Sequence, residues 1–235
     1  MLAPQPPAAR HVVLSIGLGF VAGFVDIFGF LAWHGLLVAH VTGNLVFLGL
    51  SVARGDYDLL MKVLALPIFA VSVAVSARVI TALRERGWNA FVPAALAEAV
   101  AIALCLVAGL SLAAPQNPDD TTAILIGALG LFAMGLQNTM MRLVLNDMPP
   151  TTAMTTNLTS VVSELAMWSA RRNGTAVPLT TRARLIGSTL AGFTLGAVAG
   201  GLSEVHAGYF ALLVPITTLL ALLPVGRKAA APATA

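Results

Sequence analysis

The chain has 235 residues, of which 58% are hydrophobic and only 10% are charged, and its mean hydropathy is +0.89. A soluble domain carries about 25% charged residues because its surface faces water, so lipid has to cover much of this chain's surface. The composition excludes a soluble enzyme, and a net charge of +3 is too small to indicate a nucleic-acid partner. We predict an all-α, polytopic transmembrane helical bundle of the bacterial inner (cytoplasmic) membrane.

The ends of the chain bound a single membrane domain. Met1–Arg10 is rich in Pro and Ala and lacks the basic start of a signal peptide, and the apolar run that follows is long enough to span and be retained. We therefore expect a disordered tail at 1–10, the membrane domain at 11–226 and a second tail at 227–235. Cys105 is the only cysteine, so neither a disulfide nor a thiolate metal cluster is expected, and we predict no cofactor.

Six apolar stretches have the length of a membrane-spanning helix, which needs about 20 residues. In chain order they are His11–Trp33, Leu59–Leu83, Val92–Ala113, Thr121–Leu145, Arg184–Leu202 and Gly208–Val225.

Two shorter stretches, Leu36–Ala53 and Thr151–Ala170, are apolar but interrupted by polar residues. Each is either a further span or a re-entrant element that enters and leaves the membrane on one side. Cytoplasmic loops collect Lys and Arg, which distinguishes the two models. If both stretches are re-entrant and the N-terminus is inside, 11 of the 13 basic residues lie at or near the inner side, against 9 if both span.

The re-entrant model is therefore preferred, with six spans and both termini in the cytoplasm. It puts the Pro115–Asp120 loop outside and the Arg171–Arg184 loop inside.

The chain also repeats its order of motifs. Gly23–Asp26 is followed by Asn44 eighteen residues after the Asp, and Gly135–Asn138 is followed by Asn157 nineteen residues after the Asn. We place repeat 1 at about 11–113 and repeat 2 at about 121–226. Three spans in each make the copies inverted relative to each other, as in many secondary transporters, whereas four would make them parallel.

The residues from Gly23 to Gly49, above all the block Ala39-His-Val-Thr-Gly-Asn-Leu, resemble the signature of the YoaK-type family of bacterial membrane proteins, domain of unknown function 1275. Gly135–Asn138 and the Thr-rich segment Thr151–Thr159 extend the resemblance over nearly the whole chain. It implies an inner-membrane protein of roughly six spans and supplies no substrate. The second copy reads Met-Thr-Thr-Asn where the first has Val-Thr-Gly-Asn, so its break has no glycine.

The candidate site residues of the first repeat are Asp26, His40, Thr42, Gly43 and Asn44. An acidic residue at membrane depth costs about 2.5–3.5 kcal/mol on insertion scales, so Asp26 is expected to face the protein interior or a wet cavity. The residue is either a structural hydrogen-bonding group or a coupling carboxylate. Gly43 permits a backbone break whose freed groups need partners, and Thr42 or Asn44 either binds a solute there or caps a helix. Metal binding by His40 is not expected, so His40 is either a lone interfacial histidine or part of a proton relay.

The candidate site residues of the second repeat are uncharged. Gln137 and Asn138 occupy the repeat position of Asp26, and three residues occupy that of the first break. These three are Thr155, Thr156 and Asn157. We predict that the polar residues of both repeats meet in one site near the bilayer midplane.

One further acidic residue, Glu98, lies in the third span. It is either a coupling group or the partner of a basic residue such as Arg84 or Arg86.

The leading functional prediction is a secondary transporter or permease for a small solute. The alternative is a scaffold or sensor subunit that transports nothing. An intramembrane enzyme is not expected, because no His-Glu-x-x-His, Gly-x-Ser-x-Gly or carboxylate pair at helical spacing occurs in the spans. The expected partners are the lipid bilayer and an unidentified small solute, with a homodimer left open.

Overall fold

The computed structural model describes residues 9–55, 59–112, 120–170 and 180–230, with only the backbone described at 168–170. The described residues form helices joined by turns and short loops and include no strand. The predicted all-α fold is therefore confirmed. The helices are α1 (Ala9–Ala32), α2 (Gly43–Arg54), α3 (Leu60–Glu85), α4 (Phe91–Ser111), α5 (Thr121–Leu143), α6 (Met154–Ala170), α7 (Thr181–Ala207) and α8 (Leu213–Ala229).

Among the described residues, five helical segments are long and apolar enough to cross a membrane. The last of them, Thr181–Ala229, has 49 residues and comprises α7, a short 3-10 turn and α8. A straight helix of that length would extend about 70 Å, more than twice the hydrocarbon thickness. The chain instead turns back at Gly208, which has a positive φ of 52° and begins the 3-10 turn.

Two pairs of long helices run parallel at very close range. Gly192, Gly196 and Gly200 of α7 lie directly against the α1 backbone around Ile16, Phe20 and Phe24, respectively. In the same way α3 follows α5, because the Ser72 hydroxyl donates to the Phe132 carbonyl at 2.9 Å and Arg84 donates to the Leu143 carbonyl. Small residues at the contacts allow this approach, as in other membrane bundles.

Helices α1 and α5 run in opposite directions. Near the start of α1, His11 lies 3.6 Å from Asp147, which follows the end of α5. Further along, the Leu18 carbonyl accepts a hydrogen bond of 2.9 Å from Gln137, late in α5. Since α7 runs with α1 and α3 runs with α5, α1 and α7 point one way and α3 and α5 point the other.

Most basic residues gather at one end of the bundle, which we call the basic end. It contains the start of α1, the end of α3, the end of α5 and the start of α7, and Asn89 before α4 donates to the Arg227 carbonyl in α8 at 2.8 Å. The basic residues at this end of the described chain are Arg10, Arg84, Arg86, Arg142, Arg182, Arg184, Arg227 and Lys228. Arg54 and Lys62 lie at the opposite end.

Helices α2 and α6 do not extend from one end of the bundle to the other. The chain leaves α1 and enters α3 at the end opposite the basic end, so the segment that contains α2 returns to the end from which it came. The segment that contains α6 likewise leaves α5 and returns to α7 at the basic end. Much of the two loops predicted on opposite sides of the membrane, Pro115–Asp120 and Arg171–Arg184, lies outside the described residues.

Candidate functional site

The first break in the helical chain lies between α1 and α2. The chain reverses at His34 and Gly35, whose φ angles are 52° and 82°. The predicted break at Gly43 is wrong in position, because Gly43 is the first residue of α2 and the reversal occurs eight residues earlier. A helix does start here with Thr42 at its N-cap position, as the capping interpretation required, but the Thr42 side chain makes no capping hydrogen bond.

Asn44 closes this loop onto itself. Its amide oxygen accepts from the Leu37 N–H at 3.0 Å, and its amide nitrogen donates to the Leu37 carbonyl at 2.7 Å. The side chain is fully buried. Because both backbone groups of Leu37 are freed by the break, the two bonds satisfy donors and acceptors that lipid could not. Asn44 is therefore a tether of the broken element.

Asp26 is buried and lies on α1 facing the same loop. One carboxyl oxygen accepts from the Ala39 N–H at 2.7 Å and from the His40 N–H at 3.3 Å. The other oxygen lies 2.7 Å from Nδ1 of His40. A carboxylate, which accepts at both oxygens, suits these three donors.

His40 connects the acid to the surroundings of the loop. Its side chain is 31% exposed, whereas that of Asp26 is 7% exposed. The ring meets Phe193 of α7 edge to face, with centroids 5.0 Å apart. When Nδ1 carries a proton and donates it to Asp26 in a hydrogen bond, Nε2 is free to accept a proton from water or a solute beside the loop. The pair can therefore pass a proton between a buried acid and a more accessible base.

The second break, between α5 and α6, has a matching construction without charge. Asn138 of α5 accepts a hydrogen bond from the Thr152 hydroxyl in the loop. Asn157 of α6 donates to the Pro150 carbonyl at 2.7 Å. The sequence separations agree between the halves: 14 residues for Asp26–His40 and for Asn138–Thr152, and 7 residues for each Asn tether.

Gln137 connects the second break to the centre of the bundle. Its amide nitrogen donates to the Leu18 carbonyl of α1 and, at 2.7 Å, to the Thr151 hydroxyl. The Gln137 and Thr151 side chains are fully buried. The amide oxygen of Gln137 has no hydrogen-bond partner among the described residues, which leaves an acceptor facing the interior.

A cavity of about 770 Å³ opens beside the second break. Its polar lining comprises Asn138 and Thr139 of α5, Asn146 in the following loop and two basic residues, Arg142 and Arg182. Phe69 of α3 also lines it and lies against the α5 backbone at Gly135, as Phe193 of α7 lies against α1 at Gly23. The cavity has room for a small solute beside neutral amides and basic side chains.

The predicted site residues fall into two groups rather than one. Asp26, His40 and Asn44 belong to the first break, and Gln137, Asn138 and Asn157 belong to the second. Asn138 is next to Gln137, which reaches Leu18, whereas Asp26 lies eight residues further along α1, about 12 Å of helix rise. The geometry therefore does not bring Asp26 and Asn138 together.

Three predicted threonines have exposed side chains. These are Thr42, Thr155 and Thr156.

Glu98 of α4 is fully buried, and neither carboxyl oxygen has a hydrogen-bond partner within the part of the chain that the structure describes. The predicted ion pair with Arg84 or Arg86 is not formed. Arg84 instead donates to the Leu143 carbonyl at the basic end.

Sequence reasoning did not assign roles to Thr151 and Thr152 or to the backbone groups of Leu37 and Pro150. Asn44 and Asn157 were detectable because they follow Asp26 and Asn138, respectively, at nearly the same distance. Every residue has a backbone carbonyl, so the sequence does not show which of them accepts a hydrogen bond. The bonds of Asn44 and Asn157 could therefore be found only in the structure. Groups of three or more His, Cys, Asp or Glu placed to hold a metal do not occur among the described residues.

The apolar helices, their length and the polar breaks between them define a multi-pass helical membrane protein. The model of the family described as "Protein of unknown function (DUF1275)" matches residues 14–225, and the chain belongs to that family. Comparisons with curated proteins and with solved structures gave no match.

Proposed function

We propose that this protein is a secondary transporter or permease for a small solute, built from two inverted repeats with six membrane crossings. The antiparallel courses of α1 and α5 support the inversion, since these helices begin the two repeats. In the two repeats α1 corresponds to α5 and α3 corresponds to α7. The parallel pair α1–α7 is therefore the counterpart of the parallel pair α5–α3. Transporters of this kind carry discontinuous helices at their binding sites.

The observation that carries the proposal is the pair of tethered breaks. A broken helix in a membrane exposes backbone groups that must be satisfied by protein or by a wet cavity. Here Asn44 and Asn157 satisfy one such segment in each half with the same sequence separation. The broken segments that contain α2 and α6 lie at equivalent positions and enter the bundle from opposite ends. This arrangement suits a protein that binds its solute from either side of the membrane.

The two breaks have different roles in this proposal. Asp26 and His40 form the coupling site, where a proton moves between acid and imidazole. Asn138 and Thr152, with the adjoining cavity, form the neutral part of the solute pathway. This replaces the single shared midplane site with two sites about 12 Å apart along α1.

Orientation in the membrane completes the proposal. The basic end faces the cytoplasm of a bacterial inner membrane, since Lys and Arg collect there. The start of α1 at Ala9 and the end of α8 at Ala229 both lie at this end.

Transport is tested with protein reconstituted in liposomes that enclose a pH-sensitive dye. A melting screen against amino acids, carboxylic acids, sugars and nucleosides first finds ligands, because a ligand of the native state raises its stability. We expect a hit to change the internal pH when added outside, and the change to vanish with Asp26→Asn. If a ligand binds but neither the ligand nor protons cross the liposome membrane, the result favours the sensor alternative and contradicts transport.

Topology is tested separately in a Cys105→Ala background. Single cysteines replace Trp88 at the basic end or His206 near the opposite end. An impermeant thiol reagent added to intact cells should label His206→Cys, and Trp88→Cys should react only after lysis. Labelling of both from outside contradicts the proposed inversion.

A further inference from the structure

Glu98 is the acidic side chain that the two breaks do not use. It lies in α4, where it is 0% exposed. Both of its carboxyl oxygens are buried without a hydrogen-bond partner among the described residues. Buried polar groups are normally satisfied, and an exception calls for a physical reason.

The helix register places Glu98 at middle depth in the bundle. Helix α4 runs antiparallel to α8, with Phe91 against Gly226 and Gly109 against Tyr209. The Cys105 thiol lies 3.6 Å from the Ile126 carbonyl of α5, so Glu98, seven residues before Cys105, is about level with Ala133. Ala133 is near the centre of α5, which extends from Thr121 to Leu143.

No charged group at this depth faces Glu98 from the described helices packed against α4. The charged residue within α5 is Arg142, nine residues beyond Ala133, and those of α8 are Arg227 and Lys228 at the basic end. The titratable neighbours are the Cys105 thiol on α4 and the Tyr209 hydroxyl beside Gly109, seven and eleven residues along α4. Neither is a cation.

Fully buried apolar residues lie around this level, and the polar Gln137, one turn beyond Ala133 on α5, bonds to other groups. Ala95 and Ile102 flank Glu98 on α4, Met134 is on α5 and Leu219 is on α8. A carboxylate transferred to such surroundings without a partner costs far more than the same group in its neutral form. Protonation removes that cost.

From this geometry we infer that Glu98 is a proton-binding site, separate from Asp26 and His40, that keeps its proton while α4, α5 and α8 enclose it. Exchange with water then requires these helices to part. The site needs no ligand other than the proton, and its existence does not depend on whether the protein transports a solute.

The infrared spectrum tests the protonation directly. A protonated carboxyl with no hydrogen bond has a carbonyl stretch well separated from the bands of a carboxylate. We expect the difference spectrum of wild type minus Glu98→Gln at pH 7.5 to show the protonated band. The matched control is Glu85→Gln at the exposed end of α3, which should remove carboxylate bands only. Carboxylate bands in the Glu98 difference spectrum would overturn the inference.

Unfolding in a denaturing detergent tests the same point through proton release. If Glu98 is protonated in the fold and ionised in the unfolded chain, unfolding releases one proton, and each unit of rising pH favours unfolding about tenfold. Between pH 6 and pH 8 the wild type should therefore lose stability relative to Glu98→Gln by up to about a hundredfold in the unfolding equilibrium. Parallel pH profiles would contradict the inference.

Glutamine keeps the shape of a protonated glutamate, so the variant is expected to fold. If it does not, wild-type protein carrying ¹³C at the glutamate carboxyls supplies the infrared readout without a substitution, because the label shifts the protonated band. The absence of a shifted protonated band at pH 7.5 would equally reject the site. Neither the infrared spectrum nor the unfolding profile requires a transport measurement. A negative result for Glu98 therefore leaves the proposed transport function untouched, and the reverse also holds.

Discussion

At the first break an acid faces an imidazole, whereas at the second an amide faces a hydroxyl. Asp26–His40 and Asn138–Thr152 have the same sequence separation, and each break is closed by an Asn tether of the same length. The neutral pair maintains the same local construction without ionisable groups. Charge is therefore not required to hold such a break, which favours a chemical role for the acid and the imidazole.

The two parallel helix interfaces, α1–α7 and α3–α5, also differ in the groups that make the contact. Gly196 of α7 lies against the Phe20 carbonyl with no space for a side chain, whereas Ser72 of α3 meets the Phe132 carbonyl through a hydroxyl. The α1–α7 interface is closed by backbone against backbone, whereas at the α3–α5 interface the Ser72 side chain lies between the two backbones. The first interface should tolerate substitution least.

The largest effect is expected from Gly196→Leu. A Cβ at this position would already overlap the Phe20 carbonyl, so a leucine forces α1 and α7 apart. We expect loss of monodisperse protein in size-exclusion chromatography. The control is Gly187→Ala in the same helix, where a Cβ meets nothing within 4 Å and alanine favours the helix by up to about 1 kcal/mol. Equal yield and melting temperature for both variants would remove the argument from close packing.

The next effect compares the tethers. Asn44→Ala leaves the N–H and the carbonyl of Leu37 without these bonds, whereas Asn157→Ala leaves only the Pro150 carbonyl. Each unpaired buried group costs about 1–3 kcal/mol, so Asn44→Ala should lower the free energy of unfolding by roughly twice as much. Detergent-denaturation midpoints measure this, and a larger loss for Asn157→Ala would contradict the two-bond account.

Asp26→Asn should change stability by only about 1 kcal/mol, because the amide keeps the shape and can still accept from the Ala39 N–H. Its main consequence should be functional. Transport by the variant should lose its dependence on pH, because the Asp26–His40 pair can no longer exchange a proton. An unaltered pH profile would leave Asp26 with a structural role only. Asn138→Ala is the comparison variant, and it should weaken solute uptake while keeping the pH dependence.

The smallest effect is expected from Ser72→Ala. The variant loses one hydrogen bond to the Phe132 carbonyl, worth about 0.5–1.5 kcal/mol, and part of that loss is offset by the better helix propensity of alanine. The melting temperature should fall slightly and the oligomeric state should not change. A loss comparable to that of Gly196→Leu would mean that both interfaces depend equally on close contact.

Much of the fold was predictable because apolar length reports directly on helices in lipid. The six predicted spans match helices with ends within a few residues, with two exceptions of five residues each. Helix α7 extends to Ala207, past the predicted Leu202, and α8 begins at Leu213 rather than at Gly208. The tethers' residues were also found, since Asn44 and Asn157 recur in order. The Asp26–His40 pair was not predicted, because it depends on a chain reversal at His34 and Gly35 rather than at the more conspicuous Gly43. Helical periodicity carries no information on contacts made across such a loop.

The contact between α1 and α7 can form only late in synthesis. Gly23 and Gly196 belong to the two ends of the chain, about 170 residues apart, and at 5–20 residues per second roughly 10–30 s separate their emergence from the ribosome. During this interval the glycine face of α1 has no α7 to cover it. Nascent chains that stall before α7 should therefore present this face to the insertion machinery and to membrane proteases, which can recognise an unfinished copy by its first helix.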